Sequence, residues 1–162
     1  MPDTIRIMQM QALNFPLFNV RTRIAEGSRT EIFDPVRKLY VALTPEEWVR
    51  QHAIHYLIAD RLVPPGLMAV EKEIRVNRLR RRCDIVVFSK RGNPLMVVEC
   101  KAPNVKITQD TFSQALRYNL SLNINFMLLT NGLKHFCFEL DYETQSSRQT
   151  DHIPSFLEMS AI

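Results

Sequence analysis

Among the 162 residues there is no apolar run that approaches the ~18 residues of a membrane-spanning helix, and no apolar signal-peptide core at the N-terminus. The chain is therefore expected to be cytoplasmic, without a membrane partner. Cysteine is scarce and odd in number: Cys83, Cys100 and Cys137 all sit in apolar, strand-like contexts. That excludes a disulfide framework and points to buried free thiols. There is no C-x-x-C pair and no Cys/His cluster for zinc; His52 and His55 lack partner ligands and read as ordinary helix residues. A G-x-x-x-x-G-K-[ST] phosphate loop is missing, so the isolated chain should neither bind ATP nor depend on it. No internal repeat and no second domain are visible.

What the chain does carry is a mild positive balance, formally +4. That is compatible with nucleic acid without establishing it. A chain of this length can bury one core. We expect a single domain over 1–162, with a β-rich extension at 1–43, a core at 44–140 and a tail at 141–162. In the extension, 20–24 and 30–33 read as a hairpin around the 26–29 turn, and 38–43 as a further extended run.

Thr44-Pro45-Glu46-Glu47 predicts a helix start: Thr44 as N-cap, Pro45 at the first turn and Glu47 closing a capping box. The helix should run to Arg61, with Val49, Ala53, Tyr56 and Leu57 as its core stripe. Three antiparallel strands follow at 68–76, 79–88 and 95–101, the first two joined by a turn at Asn77-Arg78. Ala102-Pro103-Asn104 breaks the third strand. Thr108 or Asp110 then caps a helix to Leu120, whose core stripe is Phe112, Ala115, Leu116 and Leu120. Gln114 and Tyr118 lie together on a different face. Strands at 125–130 and 134–140 follow, then a polar stretch at 143–151 and an apolar tail at 153–159 that docks as a last helical turn.

The chemistry concentrates in the second hairpin. If Arg91-Gly92 is its two-residue turn, residues whose numbers sum to 183 stand opposite one another, and Asp84 faces Glu99 at about 4.5–5.5 Å between Cβ atoms. Lys101 shares that face by the strand period of two. Opposed carboxylates repel, and a hard cation such as Mg²⁺ or Mn²⁺ resolves the conflict while keeping waters for a reaction. Removing either carboxylate would on this reading relieve repulsion and stabilise the metal-free protein. A nearby ammonium can position such a water or meet charge developing on a phosphate. The set suits metal-assisted phosphodiester hydrolysis. A plainer alternative pairs Lys101 with Glu99, and Asp84 with one of Arg80–Arg82. Five arginines, Arg75, Arg78, Arg80, Arg81 and Arg82, precede Asp84 within eight residues. They form either a solvated face or a phosphate-binding one, with Arg78, Arg80 and Arg82 the DNA-binding candidates.

The succession of helix, strand, Asp84, Glu99-Cys100-Lys101 and a helix with Gln114 and Tyr118 resembles the PD-(D/E)XK nuclease superfamily. More narrowly it is similar to the N-terminal nuclease domain of type I restriction enzyme R subunits, in a small stand-alone form. Phe33-Asp34-Pro35-Val36-Arg37-Lys38, Thr44–Gln51, Val98–Pro103 and Thr130-Asn131-Gly132 carry the likeness, which covers roughly 30–140. The resemblance implies an α/β, restriction-endonuclease-like mixed sheet with a central antiparallel hairpin flanked by helices. It implies Asp84 and Glu99 as metal ligands with the Cys100 carbonyl, Lys101 as the catalytic lysine, and Gln114, Tyr118 and Glu47 as supporting residues. Cys83 stands where the superfamily name expects proline. Since R subunits couple this domain to an ATP-driven translocase, the expected partners are DNA, a separate motor or specificity protein, and a second copy of the chain. A non-cleaving DNA-binding or assembly module is the rival reading, and an RNA substrate a third.

Overall fold

The computed structural model describes residues 10–76 and 78–162. Two sheets organise it. The smaller is a three-stranded antiparallel sheet of β1 (Thr22–Ile24), β2 (Thr30–Asp34) and β3 (Leu39–Ala42), close to the expected lead-in strands. The larger has six strands in sequential order: β4 (Met68–Val76), β5 (Leu79–Phe88), β6 (Pro94–Cys100), β7 (Phe126–Thr130), β8 (His135–Asp141) and β9 (Ser146–Gln149). Every pairing is antiparallel except β6 with β7, which run parallel because helix α2 (Gln109–Leu120) carries the chain back between them. The expected mixed sheet with a central antiparallel hairpin is what forms. Of the expected Asn77-Arg78 turn, Asn77 lies outside the described residues.

Helices cover both faces. α1 (Pro45–Ala59) packs Val49, Ala53, Ile54 and Leu57 against Ile85, Val87, Val98 and Cys100. α2 packs Ala115 and Leu120 against Cys83, Val86, Val97 and Met127 on the other face. The short α3 (Phe156–Ser160) docks the tail through fully buried Met159, as expected.

Four local expectations need correction. Thr44 caps α1 by accepting from the Glu47 backbone N–H at 3.1 Å, but the return half of the capping box is missing. The Glu47 carboxylate is instead engaged by Arg37, Arg50 and Gln51. Nor is α1 buried along one stripe: every residue from Glu47 to Ile54 is buried. The segment before β1 covers its other side, with Leu13 and Phe15 packed on the core and Trp48 Nε1 donating to the Gln11 carbonyl at 3.0 Å. The polar stretch after Asp141 is not all tail, since Ser146–Gln149 pair with β8 as an exposed edge strand. Its polar composition hides it, because an edge strand needs no apolar face.

The β5–β6 turn is the fourth. Its loop has three residues, Lys90, Arg91 and Gly92, with Gly92 N donating to the Ser89 carbonyl at 2.9 Å and Ser89 N to the Asn93 carbonyl at 2.8 Å. Gly92 takes a φ of +85°, which closes such loops and which a side chain would resist. The extra loop residue shifts the register by one, so that Phe88 pairs with Pro94. A β-bulge then absorbs Leu95 and restores the expected register, with Val87 opposite Met96 and Ile85 opposite Val98. The two irregularities cancel before the strands reach Asp84 and Glu99.

Candidate active site

Beyond Ile85–Val98 the β5–β6 ladder ends, one residue short of Asp84 and Glu99. The β4–β5 ladder is interrupted at the same level: Val70 pairs with Ile85 and Lys72 with Cys83, and between them Glu71 takes a φ of +51°. This bend breaks the alternation of β5. Cys83 and Val86 both pack on the α2 side, whereas strict period two would separate them. Asp84 consequently turns toward α1. Its Oδ1 accepts from Arg50 Nη2 at 2.9 Å, and its Oδ2 accepts from the Cys100 backbone N–H at 2.7 Å.

β6 keeps its alternation, so Val98 and Cys100 face α1 while Glu99 and Lys101 face α2. Glu99 pairs with Arg81, whose guanidinium lies 4.5 Å from the centre of the Tyr118 ring. Arg81, Glu99, Lys101, Gln114 and Tyr118 together line a cavity of about 120 Å³. The Lys101 backbone N–H is tied to the Thr130 carbonyl at 2.8 Å, but its ammonium makes no ion pair among the described residues. Register thus brings Asp84 and Glu99 level, as expected, but they do not simply share a face. Asp84 is clamped from the α1 side and Glu99 from the α2 side. The plainer pairing is not adopted either: the partners are Arg50 and Arg81.

Arg50 is the residue that sequence reasoning missed. It is buried and reaches four carboxylates: Glu46, Glu47, Glu71 and Asp84. Arg37 extends the network through Asp34 at 2.7 Å and Glu47 at 3.2 Å. The signal available was a charged pair, Glu46 and Arg50, at i and i+4 in a helix otherwise buried all round. Glu47 is saturated by this network, so it braces Arg50 and does not face the cavity. Glu46, Glu71 and Asp84 share Arg50 Nη2, whereas Glu47 takes Nη1.

Negative charge is in surplus. Burial pushes the Glu99 carboxyl up, and Asp84 pushes it further against the opposing pull of Arg81. Burial and Asp84 likewise raise Glu46. A cation placed near Asp84 and Glu99 would relieve both, and two carboxylates with a backbone carbonyl and water form a hard oxygen set suited to Mg²⁺ or Mn²⁺. Among the described residues no group of three or more His, Cys, Asp or Glu converges as a metal site. Cys83, beside the site, is pushed up to about 11 by burial and by Glu99, which keeps it a thiol.

Of the candidate DNA-binding arginines, Arg78, Arg80 and Arg82 are exposed. Arg75 stands opposite Arg80, and Glu73 opposite Arg82, so Arg75, Arg80 and Arg82 share the outer face of the β4–β5 ribbon. Arg82 also bonds Glu71 at 2.7 Å. Arg81 points the other way, into the site.

The sequence profile of the type I restriction enzyme R protein N terminus (HSDR_N) matches residues 45–154. This chain belongs to that family. No protein of curated function matches it. A fragment structure of a chain described as an HsdR subunit of a type I restriction enzyme from Vibrio vulnificus YJ016 superposes with a TM-score of 0.51 at 22% identity, over 72% of this chain and 24% of that one. A protein from Anabaena variabilis ATCC 29413, described as a nuclease belonging to DUF820, superposes with a TM-score of 0.48 at 13% identity, over 91% and 88%. The chain therefore spans about a quarter of the HsdR fragment. The HSDR_N match encloses Asp84, Glu99, Lys101, Gln114 and Tyr118. Among the described residues, no helix of this HSDR_N member is long and apolar enough to cross a membrane.

Proposed function

We propose that this chain is a divalent-metal-dependent deoxyribonuclease, with Asp84, Glu99 and the Cys100 carbonyl holding Mg²⁺ or Mn²⁺ and Lys101 serving the chemistry. The observation that carries this reading is an ammonium free of ion pairs among the described residues, on the same cavity as a part-buried Glu99 and beside a clamped Asp84. The metal, when bound, supplies activation of a water and neutralisation of phosphate charge.

The chain's own residues do the rest. Arg50 and the Cys100 N–H fix the Asp84 carboxylate, so its orientation is set before substrate arrives. Lys101 positions the attacking water and faces the charge that develops on the phosphate. Gln114 and Tyr118, on the cavity rim, orient the strand. Arg78, Arg80 and Arg82 hold the backbone, a contact that fixes position without reading sequence. DNA targeting then falls to a separate motor or specificity protein, or to the structure of the DNA.

The test is cleavage of linear, nicked, single-stranded and supercoiled DNA with Mg²⁺, with Mn²⁺ and with chelator, comparing the parent with Glu99→Ala. Metal-dependent cutting by the parent and none by the variant is expected. Tight DNA binding without cutting under either metal would establish a binding module instead, and cutting of RNA alone would reassign the substrate.

A further inference from the structure

Arg81 occupies a place that the proposed reaction does not explain. Its neighbours Arg80 and Arg82 project outward as a phosphate-binding pair should, but Arg81 turns inward and pairs with Glu99. Both partners are largely buried, with side-chain exposures of 17% and 14%. The guanidinium also interacts with the Cys83 side chain, yet part of it stays unused. Nη2 donates to Glu99 Oε1, while Nη1 is buried with no hydrogen-bond partner among the described residues. The group rests over Tyr118, a contact that holds a cation without consuming its donors. The cavity it borders adds Lys101 and Gln114, both donors, against the single carboxylate of Glu99.

We propose that Arg81 is a tethered counter-ion with two successive partners. It neutralises Glu99 while the divalent cation is away, and it turns onto a substrate phosphate when the cation takes Glu99. The inference rests on the metal-site reading above and adds a positioning residue to it. A guanidinium on Glu99 and a divalent cation on the same carboxylate repel, so the two compete. An unpaired, buried Nη1 gives the released group a donor ready for an anion, and the Tyr118 face gives it a place to pivot without returning to water. Metal binding and substrate binding are then coupled: the cation frees the arginine, and the phosphate stabilises it in the freed position. Arg50 does not share this role, because it is shared among four carboxylates and keeps three of them if Asp84 is taken.

The test measures metal and DNA affinity apart from catalysis. Mn²⁺ binding is titrated calorimetrically without DNA in the parent, Arg81→Gln, Glu99→Ala and Arg148→Ala. The last removes an exposed arginine at β8–β9 and controls for net charge. DNA affinity is then measured with Ca²⁺ and with chelator. Arg81→Gln should bind Mn²⁺ about tenfold more tightly and DNA more weakly in Ca²⁺, with the log–log salt slope smaller by about one. Arg148→Ala should change neither. The coupling predicts that Ca²⁺ strengthens DNA binding in the parent more than in Arg81→Gln.

Unchanged or weaker Mn²⁺ binding in a folded Arg81→Gln, with Glu99-dependent binding in the parent, overturns the counter-ion role and leaves the metal site standing. A parent that binds no Mn²⁺, or binds it equally without Glu99, overturns the metal site and this inference together. Circular dichroism and the melting temperature of each variant establish that it is folded. Should Arg81→Gln fail to fold, Arg81→Met serves: it keeps an apolar stem of similar length without the charge, and should bind Mn²⁺ more tightly than the parent.

Discussion

Arg50 Nη2 donates to Asp84 Oδ1 at 2.9 Å, joining helix α1 to the bend of β5 across 34 positions of sequence. The same guanidinium holds Glu46, Glu47 and Glu71, so one buried cation organises the acidic side of the site. Burial would depress the Arg50 pKa, but Asp84 and Glu47 overcome that and raise it, keeping the group charged.

Removing that cation strips the part-buried Asp84 and the buried Glu47 of a charged partner. Arg50→Ala should therefore lose about 3–5 kcal/mol of stability in denaturant titrations. Arg50→Lys should recover only part of it, because a point charge cannot serve several acceptors as a planar fork does.

Asp84→Ala should abolish Mn²⁺ binding in calorimetry and also lower stability by about 1–3 kcal/mol, since it strips the Cys100 N–H and Arg50 of an acceptor. This reverses the sign expected from repulsion alone. Asp84→Asn keeps an acceptor for the Cys100 N–H, and should regain stability without regaining the metal. A variant more stable than the parent would show that repulsion outweighs these two bonds.

Lys101 makes no ion pair among the described residues, so Lys101→Ala should leave stability within about 0.5 kcal/mol of the parent. Cleavage should vanish while DNA affinity stays within a few-fold. Cleavage rates at saturating DNA, set beside equilibrium binding, separate the two effects.

Gln114 and Tyr118 are both exposed on the cavity rim. Gln114→Ala and Tyr118→Phe should melt at the parent's temperature yet cut or bind DNA less well. A lowered melting temperature with intact activity would make the pair structural.

Arg80→Ala removes an exposed cation on the outer face of the β4–β5 ribbon. DNA binding should weaken alike for all sequences, and the log–log salt slope should fall by about one. Affinities at several salt concentrations on two unrelated sequences check this.

Local pattern determined much of this protein in the sequence itself. The alternation and turn residues of 68–101 fixed three antiparallel strands, and Thr44 and Thr108 fixed two helix starts, because period and capping are properties of neighbouring residues. They also set Gln114 beside Tyr118, whereas Asp84 came level with Glu99 only because a bulge at Leu95 offset the longer turn. Tertiary structure decided which way each carboxylate turns and which cation holds it. The bend at Glu71 and Asp84 appears in no residue pattern, since it arises where two ladders lapse at one level. Arg50, Arg81 and the Cys100 N–H reach their acceptors across 34, 18 and 16 positions, respectively. Choosing Arg81 over Arg80 or Arg82 for Glu99 required knowing which face of the ribbon α2 covers. A buried carboxylate must find a partner, but only the folded chain determines which of several arginines is within reach.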